Sequence, residues 1–247
     1  PVKILALESS AVAASAALCE DETLIAQAFQ NSGLTHSQTL LPMVESMLRG
    51  AALTLEEMDL LAVSAGPGSF TGLRIGMAAV KGMAFPGDKP CAAVSTLAAM
   101  ARNLEGLPLE GLVCPVMDAR CQQVYTALFE CRDGVVTRQT PDEAISIEEL
   151  KNRLISVKKS VIMVGDGANL CYNILKDSVG TLRLAPPHLL YQQAAGVAAE
   201  AALLLREGRV TKAAELQPVY LRLPQAEREL RRRQSAQRPE ENGKFCR

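Results

Sequence analysis

The sequence predicts an α/β protein in which one structural unit occurs twice. Apolar runs of about four to eight residues, which are typical of buried strands, alternate with helical patterns along the chain. The same order of runs and patterns recurs after a short break at residues 107–111. The length of 247 residues is sufficient for two lobes of ordinary size, and 48% hydrophobic with 21% charged residues is a globular composition.

The first unit, residues 1–108, begins with three strands separated by polar turns. The predicted elements are strands at 3–8, 12–19 and 24–30, a helix at 36–49, a strand at 60–65, a helix at 71–85, a strand at 91–94 and a helix at 95–105. The stretch Pro-Gly-Asp-Lys-Pro at 86–90 ends the second of these helices, because proline cannot continue a helix.

The second unit, residues 109–224, repeats that order. Its predicted strands lie at 112–117, 123–130, 134–139 and 161–164 and near 182, and its helices at 147–155, 168–176 and 188–207. Ser146 and Glu149 have the spacing of a capping box that opens the first of these helices. Both units therefore follow the order βββαβαβα, the duplicated ribonuclease-H-like arrangement of the actin, sugar-kinase and Hsp70 superfamily, with a cleft between two lobes.

Charge and cysteine usage limit the classes of function. The net charge of −1 gives no electrostatic reason to expect nucleic-acid or membrane binding by the two lobes. The tail at 225–247 has seven basic and four acidic residues, and its arginine run at 231–233 could contact tRNA phosphates. We favour the alternative, that these charges only keep the chain end hydrated, because charge runs usually do so.

Seven cysteines are scattered along the chain without a C-x-x-C pair, which favours a reducing cytoplasm over a disulfide scaffold or a zinc site. At the N-terminus, Glu8 interrupts an apolar stretch that would otherwise suit a signal peptide. No run of apolar residues reaches the roughly 18 that a membrane span needs. We therefore predict a cytoplasmic protein without a membrane partner.

The stretch AGPGSFTGLRIG at 65–76 joins a predicted strand to a predicted helix. Loops of this composition often bind phosphate, but Thr71 occupies a position where both the Walker A loop and the dinucleotide fingerprint require glycine. The signal for a phosphate site is therefore weak. Gly66 and Gly68 suit a turn, and either Ser69 or Thr71 suits a helix N-cap.

The helices predicted at 36–49 and 71–85 carry a wider apolar arc than a single lobe needs to bury. Gly72 and Gly76 share one face of the second helix, which predicts a close approach of another backbone. If Gly76 faces a partner, Gly76→Leu should weaken a complex and leave the isolated chain folded. Ordinary core packing of both helices is the alternative hypothesis.

The glycine-rich stretch closely resembles the hallmark motif of the bacterial TsaB (YeaZ) family, whose members belong to the complex that makes threonylcarbamoyladenosine beside the tRNA anticodon. Six further stretches resemble the family in order along the chain: ILALESS (4–10), HSQTLLPMV (36–44), VSTLAAMA (94–101), MDARCQQVY (117–125), GDGA (165–168) and PVYLR (218–222). The resemblance covers nearly the whole chain up to residue 224.

The resemblance implies a non-catalytic subunit that forms a heterodimer with its catalytic relative TsaD through helices of the first lobe, and works with the ATPase TsaE. ATP and a metal are expected in the catalytic partner, while this chain is expected to bind no cofactor or metal by itself. A homodimer through the same helices is possible, and tRNA is contacted at most indirectly. The predicted docking residues are His36, Leu40, Leu41, Val44, Met47, Leu48, Gly72, Leu73, Gly76, Met77 and Val80.

A second group of residues is predicted to lie at the cleft: Glu8, Ser9, Gly66, Gly68, Ser69, Asp118, Arg120 and Tyr125. For Asp118 and Arg120 we favour an ion pair that fixes a turn over ligand binding. Glu8 is equally compatible with a hydrogen bond to the glycine loop, ligand binding or a solvated strand end.

Two other functions remain open at this stage. The first is an ATP-dependent kinase or ATPase of the same superfamily, which the lack of glycine in the hairpins at 8–13 and 118–120 disfavours. The second is an M22-type metallopeptidase. The catalytic relative binds its metal with two histidines four positions apart, whereas His36 is followed by Leu40 and the other histidine is His188.

Overall fold

Residues 1–222 are described by a computed structural model, and the predicted tail at 225–247 lies outside the described residues. The first sheet is built from β1 (Lys3–Glu8), β2 (Ala14–Glu20), β3 (Thr23–Gln30), β4 (Leu60–Gly66) and β5 (Cys91–Ser95). The strand order is β3-β2-β1-β4-β5. Strand β1 pairs antiparallel with β2 and parallel with β4, as a meander extended by crossover strands requires.

Two helices cover one face of this sheet, α1 (His36–Gly50) and α2 (Phe70–Ala84). Their inward side chains share a core with Leu5, Leu7 and Leu61 of the strands. The near-continuous burial of β1, β2 and β4 is expected for central strands that are covered on both faces.

The second sheet contains β6 (Gly111–Asp118), β7 (Gln123–Thr126), β8 (Phe129–Arg132), β9 (Val135–Arg138), β10 (Glu143–Ser146), β11 (Val161–Val164) and β12 (Leu182–Leu184). Strands β10, β7, β6, β11 and β12 are neighbours in that order, and β8 pairs with both β6 and β9. The remaining helices described are α3 (Thr96–Arg102), α4 (Ile147–Val157), α5 (Ala168–Leu175) and α6 (Ala194–Arg206). The predicted α/β fold of two ribonuclease-H-like lobes is confirmed.

The second lobe differs from the predicted order in two places. The first is that the single strand predicted at 123–130 is two strands. Val116 lies opposite Thr126 and Val113 opposite Phe129, so β7 and β8 keep one register along β6. Pro115 lies between the two paired stretches and has no N–H to donate to the ladder. Its carbonyl accepts a hydrogen bond from the Thr126 hydroxyl at 2.8 Å instead. Strand β10, which pairs with β7, is an addition that the sequence analysis missed.

Helices α3 and α6 connect the two halves of the molecule. Leu97 and Met100 of α3 belong to the core of the second sheet, whereas Val197 and Ala201 of α6 pack on the first sheet. The predicted boundary at residue 108 stays a prediction, and the last helix of each unit contributes to the core of the other. Helix α6 begins at Ala194 rather than at 188, because Pro187–Leu189 form a separate 3-10 turn.

Among the described cysteines, Cys19, Cys91, Cys114, Cys131 and Cys171 are buried and free. Burial raises the pKa of the Cys114 thiol to about 12, so this side chain is a neutral hydrophobe of the core. Within residues 1–222, the helices are too short or too polar to cross a bilayer.

The contact between α3 and α6 depends on Gly196. A Cβ at this position would overlap the backbone oxygen of Ala99 and crowd the side chain of Asn103. We expect Gly196→Ala to lower the free energy of unfolding by about 1–3 kcal/mol, because the backbone of α3 cannot yield as a flexible side chain can. Urea denaturation measures this change.

The matched control is Gly82→Ala. Gly82 is an exposed residue in the last turn of α2, where a Cβ would meet no heavy atom within 4 Å. This substitution should raise the free energy of unfolding by about 0.5–1 kcal/mol through helix propensity. Equal effects of the two alanines would contradict the close packing of α3 on α6.

Candidate functional site

The glycine-rich stretch turns the chain from β4 into α2, directly beside the end of β1. Ser69 is the N-cap of α2: its hydroxyl accepts a hydrogen bond from the Gly72 N–H at 3.3 Å. The Ser69 N–H donates to the Ser10 carbonyl at 2.7 Å. Of the two predicted N-cap residues, Ser69 therefore has this role, and it also ties α2 to the segment after β1.

Glycines 68, 72 and 76 allow α2 to approach Ser9 and Ser10. A Cβ at Gly68 would lie 2.5 Å from the Ser10 carbonyl oxygen. At Gly72 it would overlap the Ser9 carbonyl oxygen and at Gly76 the Ser9 hydroxyl. That hydroxyl donates to the Gly72 carbonyl at 2.9 Å. The predicted close approach therefore takes place within the first lobe, and the hypothesis that Gly76 faces a partner is wrong.

Glu8 is fully buried beneath this contact. Its carboxylate accepts a 2.6 Å hydrogen bond from the Ser10 N–H and a second one from the Ser64 hydroxyl. Burial raises the pKa of Glu8 above its ordinary value of 4.5, and hydrogen bonds from Ser10 and Ser64 oppose that rise. Full burial rules out the predicted solvated strand end, and the hydrogen bonds go to Ser10 and Ser64 rather than to the glycine loop. Glu8 therefore holds the loop after β1.

The cleft between the lobes has a volume of about 630 Å³ and receives residues from both lobes. Five of the predicted residues line it: Gly68, Ser69, Asp118, Arg120 and Tyr125. Glu8, Ser9 and Gly66 do not line it. Among the lining residues that the sequence analysis missed are Ser10, Phe70, Arg74 and Asp166.

The turn between β6 and β7 projects into the cleft with an unusual backbone. Arg120, Cys121 and Gln122 have φ angles of 63°, 55° and 58°, the left-handed region that costs side-chain-bearing residues about 1–2 kcal/mol each. The Asp118 carboxylate accepts a hydrogen bond from the Arg120 N–H at 2.7 Å. Asp118 therefore stabilises the turn through the Arg120 backbone, and the predicted ion pair with the guanidinium is not what holds it.

Asp166 lines the cleft on the side of the second lobe. Its carboxylate accepts a hydrogen bond from the Gln192 amide at 2.7 Å, and burial raises its pKa while this hydrogen bond opposes the rise. Gly167 brings the Asp166 loop against the backbone of Asp118. The GDGA stretch was the sequence signal for this position, but nothing in the spacing assigned it to the cleft.

Most of the predicted docking residues are buried in the core of the first lobe. They are Leu40, Val44, Met47, Gly72, Leu73, Gly76, Met77 and Val80. The reason is geometric: α1 and α2 lie side by side on the sheet, so the widest apolar faces of both helices turn inward. His36 and Leu48 are half-buried, and Leu41 is 50% exposed.

His36 has a structural contact at the start of α1. Its Nε2 lies 2.7 Å from the Ala11 carbonyl oxygen, which fixes α1 to the loop between β1 and β2. In the part of the chain that the structure describes, no group of three His, Cys, Asp or Glu side chains has the arrangement of a metal site.

Comparison with known proteins gives the family. The chain is 31% identical to the tRNA threonylcarbamoyladenosine biosynthesis protein TsaB of Bacillus subtilis, over 91% of this chain and 96% of that protein. The TsaB protein of Escherichia coli is also 31% identical, over 90% of this chain and 95% of that protein. The chain belongs to the TsaB family. A family model described as TsaD, tRNA N6-adenosine threonylcarbamoyltransferase, matches residues 30–230, so the TsaB chain is also related to that group.

Solved structures of the TsaB family have the same fold. YeaZ from Pseudomonas aeruginosa superposes with a TM-score of 0.75 at 26% identity, covering 90% of this chain and all of that chain. A second Pseudomonas aeruginosa structure, described as a protein with similarity to peptidase YEAZ, gives a TM-score of 0.77 at 27% identity with the same coverage.

The raised pKa of Glu8 predicts a pH dependence of stability. The folded chain holds the Glu8 proton more tightly than the unfolded chain, so this stabilisation is complete below pH 4.5 and is lost as the pH rises through the pKa of the folded state. Glu8→Gln should therefore gain stability relative to the natural chain as the pH is raised from about 4.5 to about 7.5.

Urea denaturation at several pH values measures this difference. Glu45→Gln removes an exposed carboxylate of α1 and serves as the control for a general change of charge. A constant difference between Glu8→Gln and the natural chain across the whole range would contradict the predicted shift.

Proposed function

We propose that this chain is the non-catalytic docking subunit of a tRNA-modifying complex, in which it binds the catalytic relative TsaD and supports threonylcarbamoyl transfer to the adenosine beside the tRNA anticodon. Membership of the TsaB family supports the pathway. The observation that carries the docking role is the outer surface of α1 and α2, on the side of both helices that faces away from the sheet.

Small and apolar residues form part of this outer surface. On α2, Ile75, Ala78, Ala79 and Gly82 recur at helical spacing, with Ala78 and Gly82 exposed and the other two half-buried. On α1, Leu41 and Leu48 lie seven residues apart on one stripe. Small residues on α2 beside leucines on α1 suit close packing against a second pair of helices.

A heterodimer of two related chains would cover the outer surface of α1 and α2. A chain with the same fold would present its own first-lobe helices, so the two pairs would pack as a bundle of four. We propose TsaD as the preferred partner of this surface and a homodimer as its substitute when TsaD is absent. TsaE joins the complex through contacts outside these helices, and the catalytic partner supplies the ATP and metal sites.

The kinase alternative is not favoured by the contacts of α2. In nucleotide-binding lobes, free N–H groups at a helix N-terminus bind phosphate. Here the Ser69 N–H already donates to Ser10, and the Gly72 N–H donates to the Ser69 hydroxyl. The peptidase alternative is not favoured by His36, whose Nε2 is engaged by the Ala11 carbonyl.

The test is the solution mass of this chain, alone and mixed with TsaD from the same organism, by size-exclusion chromatography with light scattering. A one-to-one complex is the expected result. Separate elution of the two chains, with ATP and TsaE also present, would contradict the docking role. ATP titration of this chain alone would then test the kinase alternative.

Gly82→Arg tests the surface itself. The added guanidinium would lie within the proposed helix contact, and we expect the Kd for TsaD to rise at least about tenfold because an unpaired charge is buried there. The isolated chain should keep its stability, since a Cβ at Gly82 would meet no heavy atom within 4 Å.

Gly76→Leu is the matched comparison on the same helix. It should lower the free energy of unfolding by about 1–3 kcal/mol or more through the overlap with Ser9. Normal TsaD binding by Gly82→Arg would show that the outer surface of α2 is not the contact.

A further inference from the structure

The segment after α6 runs from the first lobe to the second across the end of the cleft. Thr211 and Cys91 exchange two backbone hydrogen bonds of 2.8 Å at the edge of β5. Leu216 is buried in the core beneath α1 and α2. The Val219 N–H then donates to the Ala65 carbonyl at 2.7 Å, at the end of β4. This segment is thus attached to the first sheet at three places before it reaches the cleft.

Gly66 allows the closest of these approaches. Its φ angle is 131°, a conformation that residues with side chains rarely adopt, and a Cβ would overlap the Val219 carbonyl oxygen. Gly66 was predicted to lie at the cleft, and its role is to admit the C-terminal segment beside β4.

Tyr220 attaches the segment to the first turns of α2. Its ring stacks on the ring of Phe70, with centroids 4.2 Å apart and an angle of 15° between the planes. The Arg74 Nε–H donates to the Tyr220 hydroxyl oxygen at 3.1 Å. One tyrosine therefore contacts two residues of the helix that carries the proposed docking surface.

Arg222 attaches the segment to the second lobe. Its Nη1 donates to the Ala119 carbonyl at 2.6 Å, in a partly buried position. Ala119 opens the left-handed turn of Arg120, Cys121 and Gln122, where the backbone is strained. A cation that binds the carbonyl of this turn helps to hold it in the cleft.

We propose that residues 216–222 are a strap that couples α2 to the turn at 118–122. The path of coupling is continuous: Phe70 and Arg74 hold Tyr220, and Arg222, two residues later, holds Ala119. A partner that packs on α2 restricts the motion of the strap and, through it, the motion of the turn. The effect of a partner on the strap rests on the proposed docking function. The restraint of the turn by the strap in the free chain does not depend on that function.

Hydrogen exchange of the free chain, measured by mass spectrometry, tests the strap. The reporters are the Ala119 N–H, which donates to the Gln123 carbonyl, and the Gln123 N–H, which donates to the Arg120 carbonyl. We expect Arg222→Ala to speed their exchange about tenfold, as the loss of a charge-assisted hydrogen bond does. Arg222→Lys should restore part of the protection.

Two further variants separate the strap from general destabilisation. Tyr220→Leu removes the ring stack and should speed exchange at both the turn and the first turns of α2, while Tyr220→Phe keeps the stack and should have a smaller effect. Arg209→Ala removes an exposed arginine that pairs with Glu207 on the same segment, and it should leave the turn unchanged. Unchanged exchange at the turn in both Arg222→Ala and Tyr220→Leu would overturn the strap.

The coupling to the partner is measured separately, by repeating the exchange experiment with saturating TsaD. Slower exchange at the turn in the natural chain, and not in Arg222→Ala, is the expected result. An equal response of the two chains would overturn the coupling. Failure of TsaD to bind either chain would contradict the docking function, and the result from the free chain would still decide whether the strap restrains the turn.

Discussion

The close approach of α2 to the end of β1 is the contact on which the rest of the first lobe depends. Gly68, Gly72 and Gly76 remove the side chains that would otherwise stand between the helix and Ser9 and Ser10. Buried Glu8 holds the same segment from below through the N–H of Ser10. The opposite side of α2 carries the small, exposed residues Ala78 and Gly82.

Two of the contacts between the lobes differ in character. On one side, α3 and α6 contribute to each other's cores and meet where Gly196 leaves space, and Arg102 of α3 pairs with Glu200 of α6 at 2.9 Å. This junction is extensive and largely apolar, so it is expected to be rigid. On the other side, the strap makes a few polar and aromatic contacts.

Loops on both sides of the cleft have backbone groups engaged within the chain. At the start of α2, the Ser69 N–H donates to the Ser10 carbonyl and the Gly72 N–H donates to the Ser69 hydroxyl. The turn of the second lobe has side chains where a phosphate-binding loop has glycine, and its strained backbone is held by Asp118 and Arg222.

Strand periodicity and glycine spacing are local properties, so the sequence alone predicted the element order of the first lobe, the position of the glycine loop and the family. In the second lobe it missed β10 and the division of the strand predicted at 123–130. It also predicted that Gly72 and Gly76 admit another backbone. Only the tertiary structure decided which backbone this is, since a helix pattern shows that a face is apolar but not what covers it. For the same reason eight of the predicted docking residues are buried, and the outward ones, Ala78 and Gly82, were missed. The contacts of Tyr220 and Arg222 join residues more than a hundred positions apart, which no local pattern can place.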